Sequence, residues 1–365
     1  MLQLYQWLCC HVLITLPTWA EILFQIALIG NAGVAECEKT GVIYGCMLTF
    51  YQVRPGQLHM IRVLYLSGDN DMTDAAAPQN EDFVTIFDDT YNQPDCRAYF
   101  RMMDDLDYRN QHHATAVFRA ALKEMERVRG VRGSARVIDF ACSYGVVTAL
   151  MRHEVSLQDM FARYREPRFD TAVPEEVIKW DREWLAGNRR PDVTAHFTGI
   201  DVAKNAVAYA VDVGLLDEGY AEDLGAAHAS AGLQAALGAC DMIVECGSVA
   251  YLMPDILDKM LSMAGGEKPW IVTSPIRGNE RAQALEVMRD HGLEVEVLGG
   301  PFRHRRFEGE DEQARAIENA RAAGHETDGV ESTGHFHAQL FLARPAQEAK
   351  ATAHWPIDLP GPQVR

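Results

Sequence analysis

The stretch 137-VIDFACSYGVVTALM-151 changes character twice along its length. It opens as an apolar run, breaks at Ala-Cys-Ser-Tyr-Gly, and resumes with the composition of a buried helix. A strand that enters a small-residue turn and leaves as a helix is the building unit of parallel α/β sheets, and ligands sit at such turns. This turn holds a single glycine, Gly145. Loops that cradle a nucleotide usually carry two or three, because backbone and ligand must approach closely.

The same unit recurs downstream. Strand signals fall at 136–140, 196–200, 241–246 and 269–275, with helical stretches at 204–213, 225–237, 254–265 and 280–291. Two further strands stand within 293–307 and 336–344 without an ordinary crossover helix between them. The expected fold is therefore a doubly wound, mostly parallel sheet with helices on both faces and a terminal antiparallel hairpin. A helical cover is expected over 83–130, and the connection 153–195 is longer than a crossover requires. The segment 308–334 reads as a helix with flexible flanks, and the Pro-rich tail 345–365 reads as disordered.

Composition narrows the partners. The net charge of -18 repels phosphate backbones, so no nucleic acid is expected. Arg303-His304-Arg305-Arg306 is the one dense basic cluster, and a solvated strand end explains it equally well. Eight cysteines include no CxxC pair, which fits neither zinc spacing nor a disulfide framework and points to a reducing, cytoplasmic setting. His335 and His337 can share a strand face, but no third ligand is in view, so no metal is expected.

The first 71 residues are a different kind of sequence. They hold eight charged residues of the 86 in the chain and four of the eight cysteines. Their apolar runs at 8–20 and 22–29 are split by Pro17 and Glu21, and each is too short to span a bilayer alone. Translation starting at Met72 is the preferred reading, with a membrane anchor or an extra subdomain as alternatives. The domain division is then 1–71 as an atypical apolar extension, 72–135 as a helical cover, 136–344 as the main domain and 345–365 as a tail.

Ligands of open parallel sheets lie over the carboxyl ends of the strands. Those ends carry Ala141, Ser143 and Gly145, then Asp201, then Asp223, then Glu245 and Gly247, and finally Arg277. A carboxylate past the second strand suits the hydroxyls of a ribose, and a second acid suits an adenine amine. A small-residue turn lets backbone approach an anion. Each residue also has a plainer reading: Asp201 as a helix cap, Asp223 as a solvated turn acid, Asp139 as an orienting group for the loop, and Cys142 as a small buried side chain.

In order and spacing these segments resemble the class I S-adenosylmethionine-dependent methyltransferases. Asp139-Phe-Ala-Cys-Ser-Tyr-Gly145 is similar to the family's first motif, with Ala141 and Ser143 where glycines are usual. Gly199-Ile-Asp-Val-Ala203 resembles the second motif, Glu222-Asp-Leu224 the adenine-side acid, and Cys240-Asp-Met-Ile-Val-Glu-Cys-Gly-Ser-Val-Ala-Tyr251 the fourth. The resemblance covers about residues 85–344 and implies a seven-stranded sheet and S-adenosyl-L-methionine as cofactor. It implies cofactor contacts at Asp139, Ala141, Ser143, Gly145, Asp201, Asp223, Glu245 and Gly247. Methyl transfer to a small-molecule acceptor follows, with Tyr251, Arg277 and His304 as substrate-facing candidates and Tyr91, Arg97 and Tyr99 in a possible cofactor lid. Methyl transfer needs alignment and exclusion of water more than a strong base, so no catalytic residue is assigned. The alternatives are a non-catalytic binding protein on the same fold and a nicotinamide-dependent oxidoreductase, which lacks its glycine fingerprint here.

Overall fold

The structure is a computed structural model that describes residues 46–48, 63–65, 88–247, 254–279 and 282–355. The proposed start at Met72, most of the 1–71 segment, Tyr251 and the last ten residues of the tail lie outside the described residues. The chain divides into two units, Met1–Asn80 and Glu81–Arg365. The first contributes one antiparallel pair, β1 (Cys46–Leu48) and β2 (Val63–Tyr65).

The second unit opens with three helices: α1 (Asp88–Tyr91), α2 (Arg97–Asp105) and α3 (Asn110–Arg129). Gly130, with φ 68°, ends α3 in the left-handed conformation, which a residue without a Cβ adopts freely. The sheet then alternates with helices as its sequence pattern requires. β3 (Arg136–Phe140) leads to α4 (Val146–Arg152), and β4 (His196–Asp201) to α8 (Lys204–Asp212). Between them lie α5 (Leu157–Tyr164), α6 (Arg168–Thr171) and α7 (Pro174–Gly187). β5 (Glu218–Ala221), α9 (Ala231–Gly238), β6 (Met242–Cys246), α10 (Pro254–Met263), β7 (Trp270–Ser274), α11 (Ala282–Asp290) and β8 (Leu293–Val297) follow. The chain closes with β9 (Phe302–Arg306), α12 (Glu310–Ala322), β10 (His335–Ala338) and β11 (Phe341–Pro345).

The main sheet has seven strands in the order β5-β4-β3-β6-β7-β11-β8. β5 to β7 are parallel, and β11 runs antiparallel to both of its neighbours. This is the doubly wound, mostly parallel sheet expected from the sequence. Its central strands are buried on both faces, which is why they read as unbroken apolar runs. Val137 packs into the core shared with α3, α4 and α8, whereas Ile138 and Phe140 pack into the opposite core with α9, α10 and α11.

Three departures have physical causes. β5 carries the sequence EGYA, too polar to announce a strand; it sits at the sheet edge, where one side stays unpaired. Each closing segment splits in two. The left-handed Gly299 and Gly300 and the break after Ala338 divert β9 and β10 into a separate antiparallel pair outside the main sheet. The tail, expected to be disordered, is ordered as far as it is described: Trp355 is buried, with its ring 6.0 Å from that of Trp270.

The long 153–195 connection is a packed cover. Its Arg163 and Asp181 form a buried ion pair at 2.8 Å. Tyr209 of α8 donates to the same carboxylate at 2.8 Å, and the Cys96 thiol donates to Tyr209 at 3.0 Å. The Arg163 guanidinium lies over the rings of Trp184 at 4.6 Å and Phe169 at 5.1 Å. One network thus fastens the start of α2, the inserted helices and α8 to each other. Removing one member strands a buried charge, which typically costs about 3–5 kcal/mol. Asp181→Ala is expected to lower the unfolding free energy by about that amount, read as a reduced urea midpoint; a shift below about 1 kcal/mol would show that the network does not hold the cover.

Candidate functional site

β3 and β6 are neighbours from which successive strands run outward in opposite directions. Their carboxyl ends therefore frame the switch point at which open α/β sheets bind ligands. The turn after β3 fills this place, and its backbone is unusual. Ala141 has φ 54° and Ser143 φ 48°, and Gly145 has φ 74°. The two positions without glycine thus keep the left-handed backbone that glycine would adopt without strain.

Two carboxylates hold the turn. Asp139 is buried, and one of its oxygens accepts from Thr148 N at 3.2 Å and Thr148 Oγ1 at 2.7 Å. Its other oxygen, Oδ1, is buried with no hydrogen-bond partner. Asp201, at the end of β4, accepts from Ser143 N at 2.8 Å through one oxygen and from Ala203 N at 2.9 Å through the other. Asp201 therefore both ties the turn and organises the entry to α8. Cys142 N donates to Ile200 O at 3.1 Å and Gly145 N to Cys142 O at 2.8 Å, so three of the loop's own N–H groups are satisfied within the protein.

Burial pushes the Asp139 carboxyl up to about 7, the Thr148 hydrogen bonds oppose this, and the charges of Asp201 and Glu245 add to it. A carboxyl whose folded pKa exceeds its unfolded value holds a proton in the folded chain that the unfolded chain has released. Its contribution to stability is present below about pH 4 and is lost as pH rises to about 7. The stability of wild type is expected to fall across that window more steeply than that of Asp139→Asn, as measured by urea denaturation at several pH values. Identical slopes would show that Asp139 is not protonated in the folded chain.

The other anticipated cofactor residues fall into place unevenly. Gly145 faces the protein interior with the side a Cβ would occupy. A Cβ added there would lie 3.2 Å from Ala210 Cβ and 3.2 Å from Leu215 Cδ1, so its lack of a side chain serves the packing of the loop against α8. Gly145→Val should therefore damage the fold itself. Asp223 is exposed and accepts from Gly225 N at 2.8 Å and Ala226 N at 3.1 Å, which makes it a turn acid. It still follows the strand beside Asp201, since Asp201 is paired with Ala221. Glu245 is fully buried and accepts from Thr273 Oγ1. Its place in register opposite Phe140, and not Asp139, turns it toward the α10 side of the sheet. Gly247 has φ 95°, and a Cβ there would meet His304 Nε2 at 3.0 Å and Asn110 Nδ2 at 3.4 Å.

Of the substrate-facing candidates, His304 stands at this end of the sheet. Its ring is buried between Tyr108 at 5.4 Å and Phe336 at 6.4 Å. Burial pushes its pKa down to about 3, with Arg305 and His337 adding to the effect, so the ring is neutral at physiological pH. Its Nδ1 is buried without a hydrogen-bond partner. Arg277 is buried in an ion pair with Glu331 at 2.9 Å and donates to Glu326 O at 3.0 Å. Those bonds secure the segment before β10, and Arg277 is thereby withdrawn from the substrate set. Asn110, not anticipated from the sequence, exchanges hydrogen bonds with Ser274 at 3.1 and 2.7 Å and fixes the start of α3 against the end of β7. No local motif marks it, because its partner is 164 residues away.

The segment before the sheet closes over the turn. The Tyr144 hydroxyl accepts from Gln93 N at 2.7 Å and faces the carbonyls of Gln93 and Thr90. Asn205, at the start of α8, donates from N to Asn92 Oδ1 and from Nδ2 to Asn92 O, both at 2.8 Å. Tyr99 packs between Tyr91 and Tyr144, at 5.1 and 5.3 Å. Tyr91 and Tyr99 thus belong to a roof beside the turn, whereas Arg97 points away, bound to Asp95 and to the carbonyls of Phe169 and Ala172. Among the described residues, no group of three His, Cys, Asp or Glu side chains is placed to hold a metal ion, and no helix is long and apolar enough to cross a membrane.

No protein-family model matches the sequence, and no curated protein matches it. Solved structures do match by fold. Magnesium protoporphyrin IX methyltransferase from Synechocystis PCC 6803 is 12% identical, with a TM-score of 0.37 over 75% of this chain and 100% of that one. Precorrin-6y C5,15-methyltransferase from Geobacter metallireducens is 14% identical, with a TM-score of 0.31 over 62% of this chain and 87% of that one. The [4+2]-cyclase SpnF is 13% identical, with a TM-score of 0.30 over 62% and 80%. Likenesses this distant transfer no substrate or site residue to this chain, and a shared fold does not set a reaction.

The strained turn yields its own test. Ala141→Gly is expected to leave stability unchanged or raise it by up to about 1 kcal/mol, because relief of the left-handed strain offsets the added chain entropy. Ala141→Val, β-branched in the same conformation, is expected to lower stability by at least about 1 kcal/mol. A thermal melt that ranks valine above glycine would contradict the backbone assignment.

Proposed function

We propose that this chain binds S-adenosyl-L-methionine at the turn after β3 and transfers its methyl group to a small-molecule acceptor. The observation that carries the reading is the state of the loop donors. A diphosphate needs several free N–H groups at close range, but Cys142, Ser143 and Gly145 spend theirs inside the protein. What the turn offers instead is carboxyl oxygen: the unpaired Oδ1 of Asp139, whose proton is released to solvent as a cation binds, and the remaining lone pairs of Asp201. Such a site suits an ammonium group and ribose hydroxyls, and it disfavours a nicotinamide dinucleotide. The sequence resemblance and the sheet order support the same conclusion.

In this reading Asp201 binds the ribose, Asp223 lies on the adenine side, and Asp139 orients the turn and receives the amino group. Ala141 and Ser143 give the turn its shape, with Gly145 behind it. Bound there, the cofactor supplies an electrophilic methyl group on a sulfonium. The chain's part is alignment and exclusion of water: the roof of Tyr91, Tyr99 and Tyr144 keeps the turn dry, and Asn110, His304 and Gly247 face the acceptor's side. His304, neutral and desolvated, orients an acceptor proton by hydrogen bonding. The cysteine usage supports a cytoplasmic setting.

Isothermal calorimetry with S-adenosylmethionine, its demethylated product and NAD on the same protein tests the reading. Micromolar or tighter binding of the first two is expected, about -8 kcal/mol at 1 μM, with none for NAD. Asp201→Ala should weaken both by about 1.5–3 kcal/mol. Unchanged affinity in that variant would remove the ribose assignment. Binding without label transfer from methyl-labelled cofactor into a metabolite extract would favour the non-catalytic alternative.

A further inference from the structure

The outer face of α3 carries a second concavity, whose lining includes none of the turn or strand-end residues of the cofactor reading. Arg119, His112 and His113 line it from α3, Arg190 closes one side, and Leu150 and Phe302 form apolar walls. Two arginines meet here although the whole chain carries a charge of -18. Arg119 donates to Leu150 O at 2.8 Å and Arg190 to His153 O at 2.9 Å; neither forms an ion pair with a described residue. Asp192, the carboxylate whose charge reaches Arg119, is bound to Lys123 at 2.8 Å.

The electrostatics follow from this crowding. Burial lowers the pKa of Arg119, and the charge of Arg190 lowers it further. His113 is pushed down to about 4 by burial, then by His112, Arg109 and Arg303, and its ring stacks on Phe302 at 5.8 Å. The charge of Arg303 reaches His113, but Arg303 is not part of the lining; Arg305 is bound to Glu312 at 2.6 Å and Arg306 to Asp105 O. The one carboxylate whose charge reaches both guanidinium groups, Asp192, is already paired with Lys123, and guanidinium groups held beside an apolar wall match an oxyanion, which each can bind with two parallel hydrogen bonds. The walls of Leu150 and Phe302 favour an apolar body on that anion.

We propose that this groove binds a small ligand carrying a phosphate or carboxylate group on an apolar body, with Arg119 and Arg190 as its counter-charges. The site is independent of the methyl-donor reading. Its test is a thermal melt of the full chain without S-adenosylmethionine, with inorganic phosphate, phenyl phosphate or benzoate, each against sodium chloride of equal ionic strength. Phenyl phosphate or benzoate is expected to raise the midpoint more than inorganic phosphate does, and the stronger of the two identifies the anionic group. Arg119→Gln and Arg190→Gln should each weaken the apparent affinity at least tenfold. Because both arginines also brace carbonyls, a second measurement uses the unaltered protein: phenylglyoxal modification read peptide by peptide, with the ligand protecting Arg119 and Arg190. No stabilisation by any of the three anions, or protection that spares those two residues, would overturn the proposal.

Discussion

The turn between β3 and α4 is held by two carboxylates that belong to different strands. Asp139 reaches forward to Thr148 in α4, and Asp201 reaches across from β4 to Ser143 N. Left to itself, a turn with alanine and serine in left-handed conformations would relax, because each costs of order 1 kcal/mol or more. The two tethers keep it. The same Asp201 oxygen pair orders the entry to α8, where Asn92 and the roof attach. Asp201 therefore links the turn to the helix entry on which part of its cover rests.

The cover is built as a rigid piece. Arg163, Asp181, Tyr209 and Cys96 join three segments far apart in sequence through buried hydrogen bonds, and Tyr144 inserts its hydroxyl into the turn after α1. A buried ion pair contributes little net stability against a well-packed apolar alternative, but it penalises any arrangement that leaves a partner alone. It thus fixes where the inserted helices sit relative to α8. The roof residues 90–99 are joined to that network through Cys96 and to the turn through Tyr144 and Tyr99.

The sheet was legible because its strands are buried on both faces and its crossovers carry helical periodicity; β5 was hidden because an edge strand can be polar. Asp201 was legible as a carboxylate at a strand end, and Asp139 as an orienting group was among the plainer readings of its position. The packing role of Gly145 was not legible: a sequence shows that a side chain is absent but not which neighbour would meet it, and here the neighbours are Ala210 and Leu215. Arg277 was misjudged because its partner, Glu331, lies 54 residues away in a segment without periodic signal. Asn110 and the arginine groove were invisible for the same reason. Their meaning comes from tertiary neighbours, which spacing along the chain does not record.

The central claim is that the turn after β3 and the acid after β4 together form the methyl-donor site. It is tested most directly by ultraviolet crosslinking of methyl-labelled S-adenosylmethionine to the intact protein, followed by peptide mapping. The account predicts label on peptides bearing residues 91–99, 139–145 or 201–205, abolished by an excess of the demethylated cofactor. Label confined to peptides remote from these segments, or label that the demethylated cofactor does not displace, would contradict it.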